Sequence, residues 1–339
     1  MVSVAIVGAG PAGCELARRL SAEFEVFLID PRSFPRNKPC GGILIEEAVE
    51  FLEELCPPKE IFSIPKQLNL LYKDFDNKVE MKQNRGFCNI NRKNFDYWLF
   101  GQATKQENVK FVQGGVRSVS LNKEFSLIIE SSGVLSEINA NFVVDASGAY
   151  SILGEHNLKR AKPYVAIQFE LNQKGSFEEF YYIFANTLSD YYSWIIPKGN
   201  SIIVGSCFNS GSTADNAKRL IKFFSVEFGI DFTNAVMQVA PIIRPWSKKD
   251  IVLTKNKIFF IGESAGLVSP TTGEGISYAL RSAKICADSI NSFDDLDGAL
   301  KAYQKNANFL VQDIMKKITK AKFFGDVKLR SKFFNSRHA

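Results

Sequence analysis

The sequence predicts an α/β fold in which a parallel-sheet domain is interrupted by an inserted antiparallel-sheet domain and followed by a C-terminal helical segment. Three observations lead there. Apolar runs at Val4-Ala5-Ile6-Val7, Phe142-Val143-Val144 and Ile258-Phe259-Phe260-Ile261 each enter a glycine-bearing loop, as strands buried on both faces of a parallel sheet do. Between 160 and 255 those loops cease and strand patterns dominate. A chain of 339 residues, 45% hydrophobic, exceeds what one compact domain usually holds, so two domains or one large insertion are expected.

Taken in order, the first run leads into Gly8-Ala9-Gly10-Pro11-Ala12-Gly13 and a helix from Cys14 to Leu20. Glycine suits each position for a separate reason. Gly8 permits a tight turn, Gly10 lets the backbone approach a pyrophosphate, and Gly13 lets the helix pack on the strand, with the helix N-terminus supplying N–H donors. A second strand, Val26 to Ile29, ends on Asp30, 20 residues beyond Gly10, where a carboxylate accepts from an adenosine ribose and repels a 2′-phosphate. Strand, glycines, helix, strand and acid in that order predict a Rossmann-like dinucleotide site.

A loop rich in Pro, Arg and Lys then reaches Lys38-Pro39-Cys40-Gly41-Gly42, followed by an amphipathic helix over 45–52 that Pro57-Pro58 stops. Short extended pieces are expected over 61–87. Arg92 opens a helix through Leu99, before strands at 109–112 and 125–129. Phe142 to Val144 ends in Asp145-Ala146-Ser147-Gly148. In the insertion, strands are expected at 164–171, 179–184, 192–196, 202–207 and 235–243, with one helix near 213–228. The partition reads as a discontinuous domain over 1–60, 85–158 and 250–292, a substrate domain over 61–84 and 159–249, and a basic C-terminal helix and tail over 293–339.

Nothing at the N-terminus reads as a signal peptide and no window approaches 18 uninterrupted apolar residues, so a cytoplasmic protein without a spanning helix is expected. Six scattered cysteines without C-x-x-C, and only His156 and His338, argue against disulfides and structural zinc. His156 reads as a surface residue. Of the net charge of +6, residues 301–339 carry ten Lys or Arg against Asp313 and Asp326. Tyr303, Ala307, Leu310, Ile314, Ile318 and Ala321 recur at helical steps beneath that charge. One reading is a helix docked on the core. Its rival is peripheral contact with anionic lipid at the inner face of a membrane, anchored by Phe323-Phe324 and Phe333-Phe334. No nucleic-acid motif accompanies the charge, and a monomer is expected.

The fingerprint, Asp145-Ala146-Ser147-Gly148 and Gly262-Glu263-Ser264-Ala265-Gly266 together resemble the three FAD signatures of the p-hydroxybenzoate hydroxylase-like flavoproteins. Lys38-Pro39-Cys40-Gly41-Gly42, Tyr192-Ser193-Trp194-Ile195-Ile196-Pro197-Lys198 with Gly205, and Ser269-Pro270-Thr271-Thr272-Gly273-Glu274-Gly275 narrow the resemblance to the geranylgeranyl reductase family, over residues 1–290. It implies a Rossmann-like FAD-binding domain in which Gly8, Gly10, Ala12 and Gly13 hold the pyrophosphate, Asp30 the ribose and Arg92 the phosphate region. Asp145 and Gly148 form the second signature. Cys40 and Gly41 would lie beside the isoalloxazine, Gly262 and Glu263 near the ribityl chain, and Gly273, Glu274 and Gly275 would offer backbone amides to the pyrimidine edge. Three departures stand out: Glu263 replaces the family's Asp, Ser189 its Pro, and Ile196 its Phe.

Cys40 is a candidate catalytic group that would donate a proton, tune the ring or merely pack. Tyr192 and Trp194, two apart on a strand, share a face, either as core or, with Pro197, as substrate-binding walls; Tyr191 and Ile195 would face away. Tyr192 is the second candidate proton donor. Lys198 reads as a solvated turn residue. Phe177-Phe180-Phe184 and Phe223-Phe224-Phe228 are core or channel wall. The expected activity is reduction of carbon–carbon double bonds in a prenyl chain, on an apolar or prenyl-lipid substrate, with electrons from NAD(P)H or a small redox protein, since no second glycine fingerprint is present. The alternatives are a flavin-dependent aromatic monooxygenase or halogenase, suggested by Trp194-Ile195-Ile196-Pro197, and a non-catalytic redox sensor or membrane-docked module.

Overall fold

The computed structural model describes residues 2–154, 162–173, 177–293 and 295–338, with backbone alone at 162–163 and 335–338; His156 lies outside the described residues. The chain runs β1 (Val2–Val7), α1 (Pro11–Arg19), β2 (Phe24–Asp30), β3 (Ile43–Leu44), α2 (Glu46–Leu55), β4 (Phe62–Asp74), β5 (Val79–Ile90), α3 (Arg92–Thr104) and β6 (Val109–Gln113). It continues through β7 (Gly115–Leu121), β8 (Phe125–Ser131), β9 (Val134–Ala140), β10 (Phe142–Asp145), β11 (Lys162–Leu171), β12 (Phe180–Phe184), β13 (Ser193–Lys198) and β14 (Ser201–Phe208). The last elements are α4 (Thr213–Phe228), β15 (Val236–Arg244), β16 (Thr254–Lys255), β17 (Ile258–Phe260), α5 (Ile276–Asn291), α6 (Leu296–Gly325) and α7 (Val327–His338).

Two compact units form, one from Met1–Asn37, Lys93–Lys162 and Ile243–Lys317, the other from Lys38–Arg92, Pro163–Ile242 and Ile318–Ala339. The first contains a six-stranded sheet in the order β16-β17-β10-β1-β2-β6, in which β17, β10, β1, β2 and β6 are mutually parallel. Val4 to Val7 are buried, as a strand covered on both faces requires. A three-stranded sheet, β7-β8-β9, completes this unit. Its outer strands escaped the sequence reading because their residues are largely exposed and carry little alternation.

The second unit is built on an eight-stranded sheet, β15-β11-β14-β13-β12-β4-β5-β3. It is antiparallel at β11–β14, β14–β13, β13–β12, β4–β5 and β5–β3, and parallel at β12–β4. Residues 61–87, expected as short pieces, instead form one long hairpin. Lys, Glu and Asn on its partly exposed strands mask the pattern, and register shifts break its alternation. Opposite faces of the sheet bury separate cores. Tyr164, Tyr182, Tyr192, Trp194 and Ile196 lie in one, and Ile167, Ile195, Val204, Leu220 and Phe224 in the other.

The helical face read from Tyr303 to Ala321 is buried throughout. Phe324 and Phe334, which the membrane reading needs as anchors, are 7% and 0% exposed and belong to the aromatic core of the second unit. Between them Arg330, 1% exposed, donates to Asp74 at 2.9 Å, Asp76 at 2.6 Å and the Phe324 carbonyl at 2.9 Å. Residues 318–339 are thus structural parts of this unit rather than a separate tail. Residues 38–60 and 85–92, assigned to the first domain from sequence, also pack here, because β3 pairs with β5. Among the described residues no helix is long and apolar enough to cross a membrane, and no group of three or more His, Cys, Asp or Glu could hold a metal ion.

Candidate cofactor cradle and substrate-side cluster

In the first unit, adjacent parallel strands bring the predicted loops to one sheet edge. Val7 of β1 is level with Ile29 of β2 and Asp145 of β10, and Asp145 is level with Phe260 of β17. Chain connections leave β1 toward β2 on one side and β10 lies on the other, so the fingerprint occupies the crevice where open α/β sheets bind ligands. Gly8 has φ +110°, and a Cβ there would strike the Ala146 carbonyl; one on Gly13 would strike the Gly8 carbonyl. Helix α1 starts at Pro11, with Gly10 as its cap, and its first-turn N–H groups have no partner within the helix.

Asp30, 4% exposed, organises this loop. Its Oδ2 accepts from the Ala9 amide at 3.0 Å and from Arg36 Nη1 at 2.9 Å, and its Oδ1 accepts from the Arg32 amide at 3.0 Å, which leaves Oδ1 capacity for a further donor. Arg36 was missed by the sequence reading. It is 8% exposed, its Nε is buried with no partner, and its Nη2 lies 3.5 Å from where a Cβ on Gly10 would stand. A buried guanidinium with an unused N–H beside a glycine fingerprint suits an anionic ligand. Its only sequence signal was the basic loop after Asp30.

Asp145 is fully buried and accepts from the Ser147 amide and hydroxyl, the Ser151 hydroxyl and the Leu153 amide. Burial pushes its carboxyl above the ordinary range against those donors, and Gly148 opens the short helical turn that follows. Gly262, φ +61°, donates its amide to Ser282 Oγ at 2.9 Å. Glu263 accommodates its extra methylene by reaching the Ile243 amide at 3.4 Å.

The loop expected to offer three amides offers fewer. Gly273 donates to the Ser269 carbonyl at 2.8 Å and Glu274 to Thr272 Oγ1 at 3.3 Å, so Gly275 is the amide of the three with no internal partner among the described residues. The Glu274 carboxylate caps α5, accepting from the Ser277 amide at 2.7 Å and hydroxyl at 2.8 Å.

The second unit gathers the other predicted residues. Cys40, half-buried, accepts from the Gly42 amide at 3.4 Å. A Cβ on Gly41 would lie 2.6 Å from Ile196, so the cysteine loop rests on β13. Tyr192 stacks on Tyr182 with ring centroids 3.8 Å apart, and burial pushes its hydroxyl pKa up. Trp194 lies over Gly205, where a Cβ would stand 2.5 Å from the indole, which explains that glycine; its Nε1 is buried without a partner. Both side chains are core, and Tyr191 joins the same cluster rather than facing away, because β13 begins only at Ser193. Pro197 follows the last β12–β13 pair, where no ladder donor is needed, and its carbonyl accepts from Asn89. Phe228 packs against Phe177, Phe223 and Phe75, and Phe75 against Phe223. Arg92, expected near the phosphates, is buried and falls in this unit.

Lys198 is not the solvated residue expected. Its Nζ donates to Asn89 Oδ1 at 2.5 Å, the Ile90 carbonyl at 2.9 Å and the Gly42 carbonyl at 3.4 Å. Burial lowers its pKa to about 7.

Comparison with known proteins bears on this arrangement. Protein CbrA of Escherichia coli O1:K1 / APEC is 30% identical over 293 residues, covering 83% of this chain and 79% of that protein. The chain belongs to the CbrA family. CbrA of Shigella flexneri serotype 5b (strain 8401) matches equally. Residues 3–169 also match the lycopene cyclase protein family. Among solved structures, a geranylgeranyl bacteriochlorophyll reductase-like protein from Thermoplasma acidophilum has a TM-score of 0.82 at 18% identity, covering 96% of this chain and 89% of that one. CmlS, a flavin-dependent halogenase, has a TM-score of 0.70 at 18% identity, covering 92% of this chain and 62% of that one. This CbrA-family chain therefore has the fold of these proteins, a parallel-sheet unit with an additional mixed, mainly antiparallel sheet and C-terminal helices.

Proposed function

We propose that this chain is an FAD-dependent oxidoreductase that reduces carbon–carbon double bonds of a prenyl chain. The observation that carries the cofactor is the cradle: at Gly8 and Gly13 the backbone packs so closely that no side chain fits, and Arg36, whose buried Nε has no partner, places its Nη2 beside Gly10. The α1 N-terminus and Arg36 would hold the pyrophosphate, and the remaining capacity of Asp30 Oδ1 suits a ribose hydroxyl. Glu263 and Gly275 would serve the ribityl chain and the ring edge. FAD, once bound, would supply two-electron chemistry, reduced either by hydride from NAD(P)H or by two single electrons from a small redox protein together with a proton from solvent, and reoxidised by giving hydride to the substrate.

The prenyl assignment is supported by the cysteine-glycine loop seated on the Tyr-x-Trp strand and by likeness to the Thermoplasma reductase-like protein. An isolated alkene accepts hydride only if a proton is placed on its other carbon, and apolar walls must keep water from that centre. Cys40 is the better proton-holding candidate, being partly exposed at Sγ's loop, whereas Tyr192 is locked in a ring stack and burial holds its proton tightly. The rival reading, an oxygen-using halogenase or monooxygenase, draws support from likeness to CmlS and to the flavin-dependent brominase Bmp2.

The deciding experiment is an absorption spectrum of freshly purified protein with mass spectrometry of released cofactor and lipid. FAD with a polyprenyl species supports the reductase. FAD with an aromatic molecule and rapid oxygen uptake transfers the assignment to the rival. Absence of flavin after adding FAD overturns both.

A further inference from the structure

Three segments far apart in sequence close a small polar ring in the second unit. Gly42, with φ +63°, turns its carbonyl to accept from both the Ile90 amide at 2.8 Å and Lys198 Nζ at 3.4 Å. A Cβ at Gly42 would lie 2.8 Å from Nζ and clash with the Ile90 carbonyl, so the loop is drawn against the lysine. Asn89, fully buried, accepts from Lys198 through Oδ1 and donates through Nδ2 to the carbonyls of Pro65 at 3.0 Å and Pro197 at 2.9 Å. Lys198 is thus the hub of a network whose outer member, the Gly42 amide, bonds the Cys40 thiol.

We infer that Lys198 is a positioning residue that holds the Cys40–Gly42 loop in place, and that the hold slackens when Lys198 loses its proton. An ammonium has three N–H donors for three acceptors; an amine has two. The longest bond, to Gly42, is the one surrendered. Titration near neutrality fits the surroundings. Burial disfavours the charge and Arg92 at the start of α3 opposes it, whereas Cys40 in the loop, Cys88 on β5 and Glu170 on β11 favour it; Lys66 on β4 bears on Cys88. In the reductase reading this would set the placement of the candidate proton donor, and the inference rests on that reading only for the role of Cys40.

The test needs neither flavin nor substrate, so its failure is distinguishable from failure of the reductase assignment. Cys14, Cys88, Cys207 and Cys286 are buried, leaving Cys40 and the exposed Cys56 accessible. In full-length protein carrying Cys56→Ser, Cys40 is alkylated with iodoacetamide from pH 6 to 8.5, and each rate is divided by the thiolate fraction measured by ultraviolet absorbance. The corrected rate should rise about ten-fold through neutrality, the equivalent of one hydrogen bond lost. Lys198→Met should be fast at every pH, and Lys198→Arg, permanently charged, slow at every pH. A flat corrected rate in the parent overturns the inference, even should Lys198→Met fail to fold. So does a Lys198→Met profile that coincides with a rising parental one.

Discussion

Arg36 stands beside Gly10 with a buried, unbonded Nε, so its contribution to holding a dinucleotide is separable from that of the loop backbone. Arg36→Met should weaken FAD binding about ten- to hundred-fold, the value of a charge-assisted hydrogen bond, in a fluorescence titration of stripped protein. Unchanged affinity would remove Arg36 from the cradle. Lys198 makes a different prediction. Its pKa is about 7 in the folded chain against 10.5 ordinarily, so between those values the folded chain binds fewer protons than the unfolded one. Its contribution therefore makes stability rise with pH over that window, while the full cost of the buried ammonium stands below it. Urea midpoints of the parent should gain on those of Lys198→Met from pH 7 to 9; a constant difference would refute the linkage. The tight packing at Gly8 and Gly13 was legible from the spacing within one βα turn, and the position of Asp30 at the end of β2 from the apolar run before it. Arg36, Lys198 and the cap made by Glu274 were not, since their partners lie on other segments or depend on how a loop closes on itself.

Helix α7 offers the clearest element-scale case. From sequence, its arginine is one of many C-terminal cations; in the fold Arg330 is buried against Asp74 and Asp76 and lies over the Phe184 ring at 4.8 Å. Arg330→Met should cost about 3–5 kcal/mol in chemical denaturation, because Asp74 is left charged and buried. Adding Asp74→Asn should recover part of that loss, and a cost below about 1 kcal/mol would show the pair to be dispensable. Helix α6 was readable from apolar periodicity, α3 and α4 were anticipated at 92–99 and 213–228, and the long strands of the insertion followed from β-branched and aromatic runs, whereas α5 was not read. Nor was the β4–β5 hairpin, because its polar residues and register shifts hide the alternation that marks a strand.

At the scale of the molecule, burial of Phe324 and Phe334 reshapes the expectation for lipid surfaces. Lys320, Lys322, Lys328 and Lys332 of the second unit remain exposed, each worth about 1 kcal/mol beside an anionic bilayer. Flotation with phosphatidylserine vesicles should therefore detect binding at low salt that vanishes near 0.5 M salt, where screening shortens to a few ångströms. Binding that survives salt would mean that an apolar anchor is exposed after all.

The chain passes between its two units five times, and the last passage delivers residues 318–339 to the second. A chain made from the N-terminus supplies Asp74 and the strands of the second unit well before Phe324, Arg330 and Phe334, so in the interval that unit lacks the cation that pairs with Asp74 and part of its aromatic core. A chain cut before Ile318 would lack those residues for good, leaving this half of the protein with the same gaps that it has during synthesis.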